Sequence, residues 1–259
     1  MPSLRPFLLF AFVSASLGSA HAMTLTAANV AHTEDFNTLA TATGSAMPAG
    51  WTFIETGTGA NTTYGATNGG SSTGNTYSFG ATGDADRSLG SLRTSSVTSA
   101  FGAMITNQTG SIITQLDIQY VGEQWRLGAL ARPDRLDFAY SLDATSLSTG
   151  TWIEFDGLDF IGPITSGATG ALDGNATENQ VQIGQSIGSL ALASGASLWV
   201  RWIDFDATGS DDGLAIDNVA VTAIPGAAQA VPEHLPLPVV AGLFAGVLAF
   251  GARRSRKRE

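Results

Sequence analysis

The sequence predicts an all-β domain, and three features carry the prediction. Short runs of alternating apolar and polar residues recur along the chain, with the period of two that a half-buried strand requires. Turn-forming clusters separate those runs, at Thr56-Gly57-Thr58-Gly59, Asn68-Gly69-Gly70, Asp173-Gly174-Asn175 and Asp212-Gly213. No long stretch ahead of residue 235 has the 3.6-residue periodicity of a helix.

The elements follow in order. Residues 51–55, Trp51-Thr52-Phe53-Ile54-Glu55, are aromatic and β-branched and run into the turn at 56–59. Residues 56–75 are rich in Gly, Thr and Asn and read as a long mobile loop. Segments 76–79, 88–93 and 100–106 are the next strand candidates. Segment 116–120, Leu116-Asp117-Ile118-Gln119-Tyr120, alternates strictly, and 136–142 does so most cleanly, with Leu136, Phe138, Tyr140 and Leu142 on one face. Segments 152–155, 181–183, 197–205 and 214–222 complete the set. Some ten short strands at this spacing predict two antiparallel sheets packed face to face, a β-sandwich of the jelly-roll type. Trp51, Trp125, Trp152, Trp199 and Trp202 are the large side chains available to fill its core or line a groove, the core being the expectation for most.

Both ends read as addresses rather than as fold. Residues 1–22 carry Arg5, an apolar run from Phe7 to Val13, and Ala20-His21-Ala22 with small residues at the −3 and −1 positions of a signal peptidase site. Cleavage after Ala22 is expected, with 23–224 exported as the folded domain. Residues 225–230 read as a linker. Residues 235–252 contain no charge and as a helix would span roughly 27 Å, near the hydrocarbon thickness of a bilayer. Arg253, Arg254, Arg256, Lys257 and Arg258 follow at once, a cluster retained on the cytoplasmic side.

The tail has a recognisable layout: Val231-Pro232-Glu233-His234, an uncharged span over 235–252, and a basic end over 253–259. It resembles the PEP-CTERM sorting signal of Gram-negative bacteria, with His234 where that signal usually has Pro. The resemblance implies recognition of Val231, Pro232 and Glu233 by an exosortase-like membrane protease. It also implies export across the inner membrane, transient anchoring by the C-terminal helix, and delivery to the cell surface or medium. Proteins with this tail accompany exopolysaccharide and biofilm formation. The function so implied is a non-catalytic structural or adhesion component.

Composition narrows the chemistry. Between residues 23 and 230 there are 20 Asp and Glu, 6 Arg and no Lys, a net charge of −14. Such a domain has too few cations to neutralise phosphates, which excludes nucleic acid as its partner. Cysteine is absent, so disulfides, thiolate metal sites and cysteine nucleophiles are absent with it. His32 is the one histidine in that segment, a thin basis for a Ser/His/Asp triad or a histidine zinc site.

Four constellations remain. Asp204, Asp206, Asp211 and Asp212 surround a Gly-containing turn between two strands. Carboxylates so close repel unless solvated, hydrogen-bonded or bridged by a cation, so the turn reads either as a solvated hairpin or as a structural calcium loop. The segment Asp211-Asp212-Gly213-Leu214-Ala215-Ile216-Asp217-Asn218-Val219, with Glu34-Asp35-Phe36-Asn37-Thr38-Leu39 near the start, resembles the bounding strands of jelly-roll ectodomains of secreted bacterial proteins. Carbohydrate-binding jelly rolls hold a structural calcium between those strands. The resemblance implies Glu34, Asp35 and Asp217 as ligands, with Asn218 where a second Asp is common. Trp125 and Arg126 could stack on and hydrogen-bond a sugar, or could be a core Trp beside a surface Arg. Glu154 and Asp156 share a strand face, with Asp159 nearby, a spacing open to glycoside hydrolysis as to any exposed strand. A calcium-stabilised carbohydrate-binding module is the alternative function, and a secreted hydrolase the remoter one.

Overall fold

The protein is described by a computed structural model over residues 22–227. Ala20, the sorting residues Val231, Pro232 and Glu233, the 235–252 span and the basic end lie outside the described residues, and Ala22 is the first of them. In chain order the strands are β1 (Met23–Leu25), β2 (Ala31–Glu34), β3 (Trp51–Thr56), β4 (Gly65–Thr67), β5 (Asn75–Phe79), β6 (Ser88–Leu92), β7 (Thr98–Asn107) and β8 (Ile113–Leu127). They continue as β9 (Arg135–Ser141), β10 (Ile153–Glu154), β11 (Phe160–Ile161), β12 (Gly170–Ala171), β13 (Gln180–Ile187), β14 (Ser197–Asp204) and β15 (Gly213–Pro225). Among the described residues the helical content is two single 3-10 turns, Asp156–Leu158 and Thr177–Asn179. No helix among the described residues is long and apolar enough to cross a membrane.

The fold is an all-β sandwich. In the seven-stranded sheet β7 lies between β14 and the pair β1 and β3, and β9 lies between β14 and the pair β10 and β11. In the eight-stranded sheet β8 and β15 are central, β12 and β13 flank β8, and β2 and β6 flank β15, with β5 and β4 beyond β6. All pairings are antiparallel except β1–β7 and β4–β5. From β7 onward the chain alternates between the sheets: β7, β9–β11 and β14 belong to the smaller sheet, and β8, β12–β13 and β15 to the larger.

Alternation in the sequence becomes the core. Phe101, Ala103 and Ile105 of β7, Leu198, Val200 and Trp202 of β14, and Leu116, Ile118 and Tyr120 of β8 all face inward. Leu136 and Phe138 of β9 do the same, whereas Leu142, past the end of that strand, is exposed. Trp202 is the hub. Its ring lies 5.9 Å from Trp51, 5.3 Å from Tyr120, 5.0 Å from Phe138 and 6.3 Å from Phe101. Each such pair adds about 0.5–1.5 kcal/mol to the burial itself. Phe36 packs edge-on against Trp51 at 4.7 Å and is fully buried, although its φ is 53°. A bulky residue enters the left-handed region only when its surroundings compensate, and here burial of the ring does so.

All ten expected strands form, although 152–155 contracts to the two residues of β10 and 116–120 extends to the fifteen of β8. Two expectations are corrected. The segment 56–75 is not a bare loop: it contains β4, and Tyr64 is buried, its hydroxyl donating to Ala46 O and accepting from Ala40 N–H, both at 3.0 Å. A buried aromatic with a satisfied hydroxyl anchors such a segment. The linker does not begin at 225, because Pro225 pairs with Ile113 and Gly226 N–H donates to Ile112 O at 3.2 Å.

Candidate functional site

Trp125 is not a sugar platform. Tyr120 points into the core, so the period of two sends Glu123 and Trp125 to the outer face of the larger sheet. There Trp125 is 1 % exposed in a second apolar cluster with Tyr77, Phe79, Leu92 and Ala215. Phe79 stacks on it at 6.1 Å, and Gly174 lies so close to the indole that a β-carbon there would approach it within 2.2 Å. Its Nε1 donates to Glu123 Oε2 at 2.9 Å and to Ser88 Oγ at 3.0 Å. Of the five tryptophans only Trp152 is partly exposed, and the Arg201 guanidinium covers its ring at 3.8 Å.

Arg126, one residue on, faces a different environment. It lines an open cleft of about 530 Å³ at one end of the sandwich. Five chain segments meet there, contributing Ser72, Arg93 to Ser95, Arg126 at the end of β8 with Gly128, Thr169, and Asp206 with Ser210 and Asp211. Arg126 Nη1 donates to Gly69 O at 3.1 Å and has no carboxylate partner among the described residues. Arg93 anchors on Asp204 O at 3.0 Å and faces Asp206 at 3.4 Å, the Asp206 side chain being 71 % exposed. The walls thus offer hydroxyls, guanidinium donors and carboxylate acceptors.

The four aspartates of the acidic turn do not converge on one point. Asp204 is fully buried, and its Oδ2 accepts from Ser91 Oγ at 2.8 Å while Oδ1 has no partner. Burial, and then the charge of Asp134, push its carboxyl well above the usual range. Asp211 Oδ1 caps Ala207 N–H at 3.0 Å. Asp212 accepts from Gly128 N–H at 2.7 Å and from Gln124 Nε2 at 2.8 Å. Burial and Asp134 raise both carboxyls to about 6. Arg132 is the cation of this buried group, 3.1 Å from Asp134 and 3.7 Å from Asp212. Asp134, which the sequence offers only as part of the charged run Arg132-Pro133-Asp134-Arg135, is its centre: it accepts Asp212 N–H at 2.7 Å and Arg135 N–H at 2.8 Å.

A second acidic group forms where β2 meets β15. Val219 pairs with Glu34, which brings Glu34 and Asp35 beside the Asp217-Asn218 kink. Asn218 has φ 50°, the neighbouring register slips, and both features re-aim Asp217. Glu34 Oε1 caps Phe36 N–H at 2.8 Å and Asp35 Oδ1 caps Asn37 N–H at 3.1 Å. Asp217 is 3 % exposed and its Oδ1 has no partner. Burial, then Glu123, then Asp86 and Asp35, raise it to about 8; burial, with a smaller push from Asp86, raises Glu123 to about 7. Glu123 and Asp86 come from strands and loops distant in sequence, and only tertiary pairing brings them here. Among the described residues no three His, Asp or Glu side chains sit close enough to hold a metal ion. A calcium ion near Asp217 therefore has to take backbone carbonyls or water for most of its oxygens.

Glu154, Asp156 and Asp159 do come together, with Asp137, Arg135 and Ile161, along a groove of about 470 Å³ on the smaller sheet. Burial and the neighbouring carboxylates raise both Glu154 and Asp159. Asp159 is already engaged by Phe138 N–H at 2.7 Å.

No protein-family model and no curated protein matches the chain. Among solved structures it is similar in shape to the CBM22-1 xylan-binding domain from Paenibacillus barcinonensis Xyn10C. Identity there is 12 % and the TM-score 0.37, over 78 % of this chain and 99 % of that one. The K1 cleaved adhesin domain of Lys-gingipain from Porphyromonas gingivalis W83 gives 14 % and 0.36 over 76 % and 99 %, and TmCBM61 in complex with β-1,4-galactotriose gives 6 % and 0.29 over 54 % and 73 %. At these values the likeness is one of general shape, and nothing about function follows from it.

Proposed function

We propose that this protein is an exported, non-catalytic surface or matrix component whose β-sandwich makes polar contacts with polysaccharide. The observation that carries the reading is the Arg93–Arg126 cleft, where loop hydroxyls, two guanidinium groups and an exposed carboxylate line one opening. A sugar hydroxyl donates and accepts at once, so a wall of mixed donors and acceptors suits it. With no exposed aromatic among the lining residues, the contacts are polar and individually weak. The alternation of strands between sheets from β7 onward supports the jelly-roll variety of sandwich.

The sorting reading rests on the PEP-CTERM-like tail and the signal-peptide pattern. Because β1 opens at Met23, cleavage after Ala22 by signal peptidase would leave the sheet complete. An exosortase-like protease would then process the tail, with the cell surface or the medium as destination. Groove geometry supports the non-catalytic reading: Asp159 is already held by Phe138 N–H at 2.7 Å.

Bound calcium, as in a calcium-stabilised carbohydrate-binding module, is the second reading. The orphaned Asp217 Oδ1, buried beside Glu123, favours it.

The test is affinity electrophoresis and array binding on a panel of bacterial and plant polysaccharides, comparing wild type with Arg126→Ala. Saturable binding that weakens in the variant, at unchanged thermal stability, supports the cleft. Undiminished binding by the variant, or none by the wild type, overturns it. Cell fractionation with terminal mass spectrometry tests the sorting; an uncut chain in the cytosol would refute it.

A further inference from the structure

Each sheet ends in strands whose outer hydrogen-bonding groups must be covered, paired or guarded by charge. On the smaller sheet, β10 and β11 are two residues each and carry Glu154, with Asp156 and Asp159 alongside. At its other margin β3 shares a cleft with Ser45, Met47, Asn61 and Thr62, loop residues that flank it. On the larger sheet β4 is three residues long.

The remaining margin is different. β13 pairs with β8 along all eight of its residues; among the described residues no strand pairs with its other side, and the Asp156–Leu158 turn packs beside Gln185. Its sequence, Gln180-Val181-Gln182-Ile183-Gly184-Gln185-Ser186-Ile187, has no charge and no proline. Gln182, Gly184, Gln185 and Ser186 are exposed. The segment beyond it stays at the same margin, with Leu190 N–H donating to Thr114 O at 2.9 Å and Leu192 bridging Ile113, and is equally uncharged. In a domain of net charge −14, this is the long margin where another copy can approach without meeting carboxylates on the facing strand.

We propose that β13 is a self-association surface: two copies pair their β13 strands antiparallel about a two-fold axis, joining their larger sheets into one. An isologous contact of this kind closes on itself as a dimer. The occupant is a second copy because an uncharged strand offers a self-complementary ladder, whereas a cationic partner would be drawn to the acidic surfaces elsewhere.

The test is sedimentation equilibrium of the full-length chain in neutral detergent, over a wide protein range and at two salt concentrations. A concentration-dependent dimer is expected, stronger at high salt, because screening removes the mutual repulsion of the two acidic bodies. Gln182→Lys with Gln185→Lys places like charges along the paired edge and should raise the dissociation constant roughly tenfold or more. Lysine at the exposed Thr82 is the control, for it lowers the net negative charge without touching the edge and should leave association equal or tighter. Melting curves establish that each variant folds. A wild-type chain that stays monomeric throughout, or a dimer that the β13 lysines leave intact, would overturn the proposal.

Discussion

Ser91 Oγ donates to Asp204 Oδ2 at 2.8 Å, linking β6 of the larger sheet to β14 of the smaller through a fully buried carboxyl. The other oxygen, Oδ1, has no partner, and Asp134 and Asp211 add like charge nearby. An acid so placed is stable in the protonated form.

Asp204→Asn therefore removes an ionisation that the fold disfavours. The group's folded pKa lies above its unfolded value, so its contribution is fully present below about pH 4 and is lost as the pH rises. The variant should melt at a higher temperature than wild type at pH 8 and show little gain at pH 4. Asp204→Ala, which also strands Ser91, should instead destabilise by about 2–4 kcal/mol at either pH. Calorimetry at the two pH values decides both.

Glu123 and Asp217 make the pH dependence of the other acidic group. Their folded values of about 7 and about 8 exceed the unfolded ones. Stability should fall as the pH climbs from about 4 towards 8, and Glu123→Gln with Asp217→Asn should flatten that slope. On the calcium reading the metal takes the ionised forms, so added calcium should raise the melting temperature at pH 8, do little at pH 5, and lose its effect in the double variant. Identical melting in calcium and in chelator at pH 8 would remove the metal.

Trp202 touches four other rings, and the core should not tolerate its loss. Trp202→Ala should cost about 3–5 kcal/mol in urea unfolding, against a smaller loss for Trp202→Phe.

Trp125 and Arg126 are neighbours in sequence with separate duties. Trp125→Ala should lower stability by about 3–5 kcal/mol, because it empties the Phe79 cluster and unsatisfies Glu123. Arg126→Ala should leave the melting temperature within a degree or two and weaken polysaccharide binding about tenfold. Paired melting and binding measurements separate the two.

Much of the β-architecture was legible because burial in a sheet has a period of two. Leu136 and Phe138, or Phe101, Ala103 and Ile105, announce both a strand and its inward face. Short pieces were not legible: β4, β11 and β12 have two or three residues each and no repeat to detect. The glycine-rich 56–75 segment looked featureless because the contacts of Tyr64 lie with Ala40 and Ala46, far upstream.

The acidic turn shows the same divide at the site level. Its aspartates were evident as a cluster, but their directions were not. Asp204 turns inward to Ser91, Asp211 and Asp212 are taken by backbone N–H groups, and Asp206 alone stays in solvent beside Arg93.

Strand periodicity, the acidic and cysteine-free chemistry and the turn positions can be read along the chain alone, since each depends on neighbouring residues. Tertiary structure decided that Trp125 is sealed while Arg126 is open, that Glu123 and Asp86 join Asp217, and that β13 lies at a margin. Those outcomes depend on which strands become neighbours, and strand pairing is a contest among distant segments that no local pattern records.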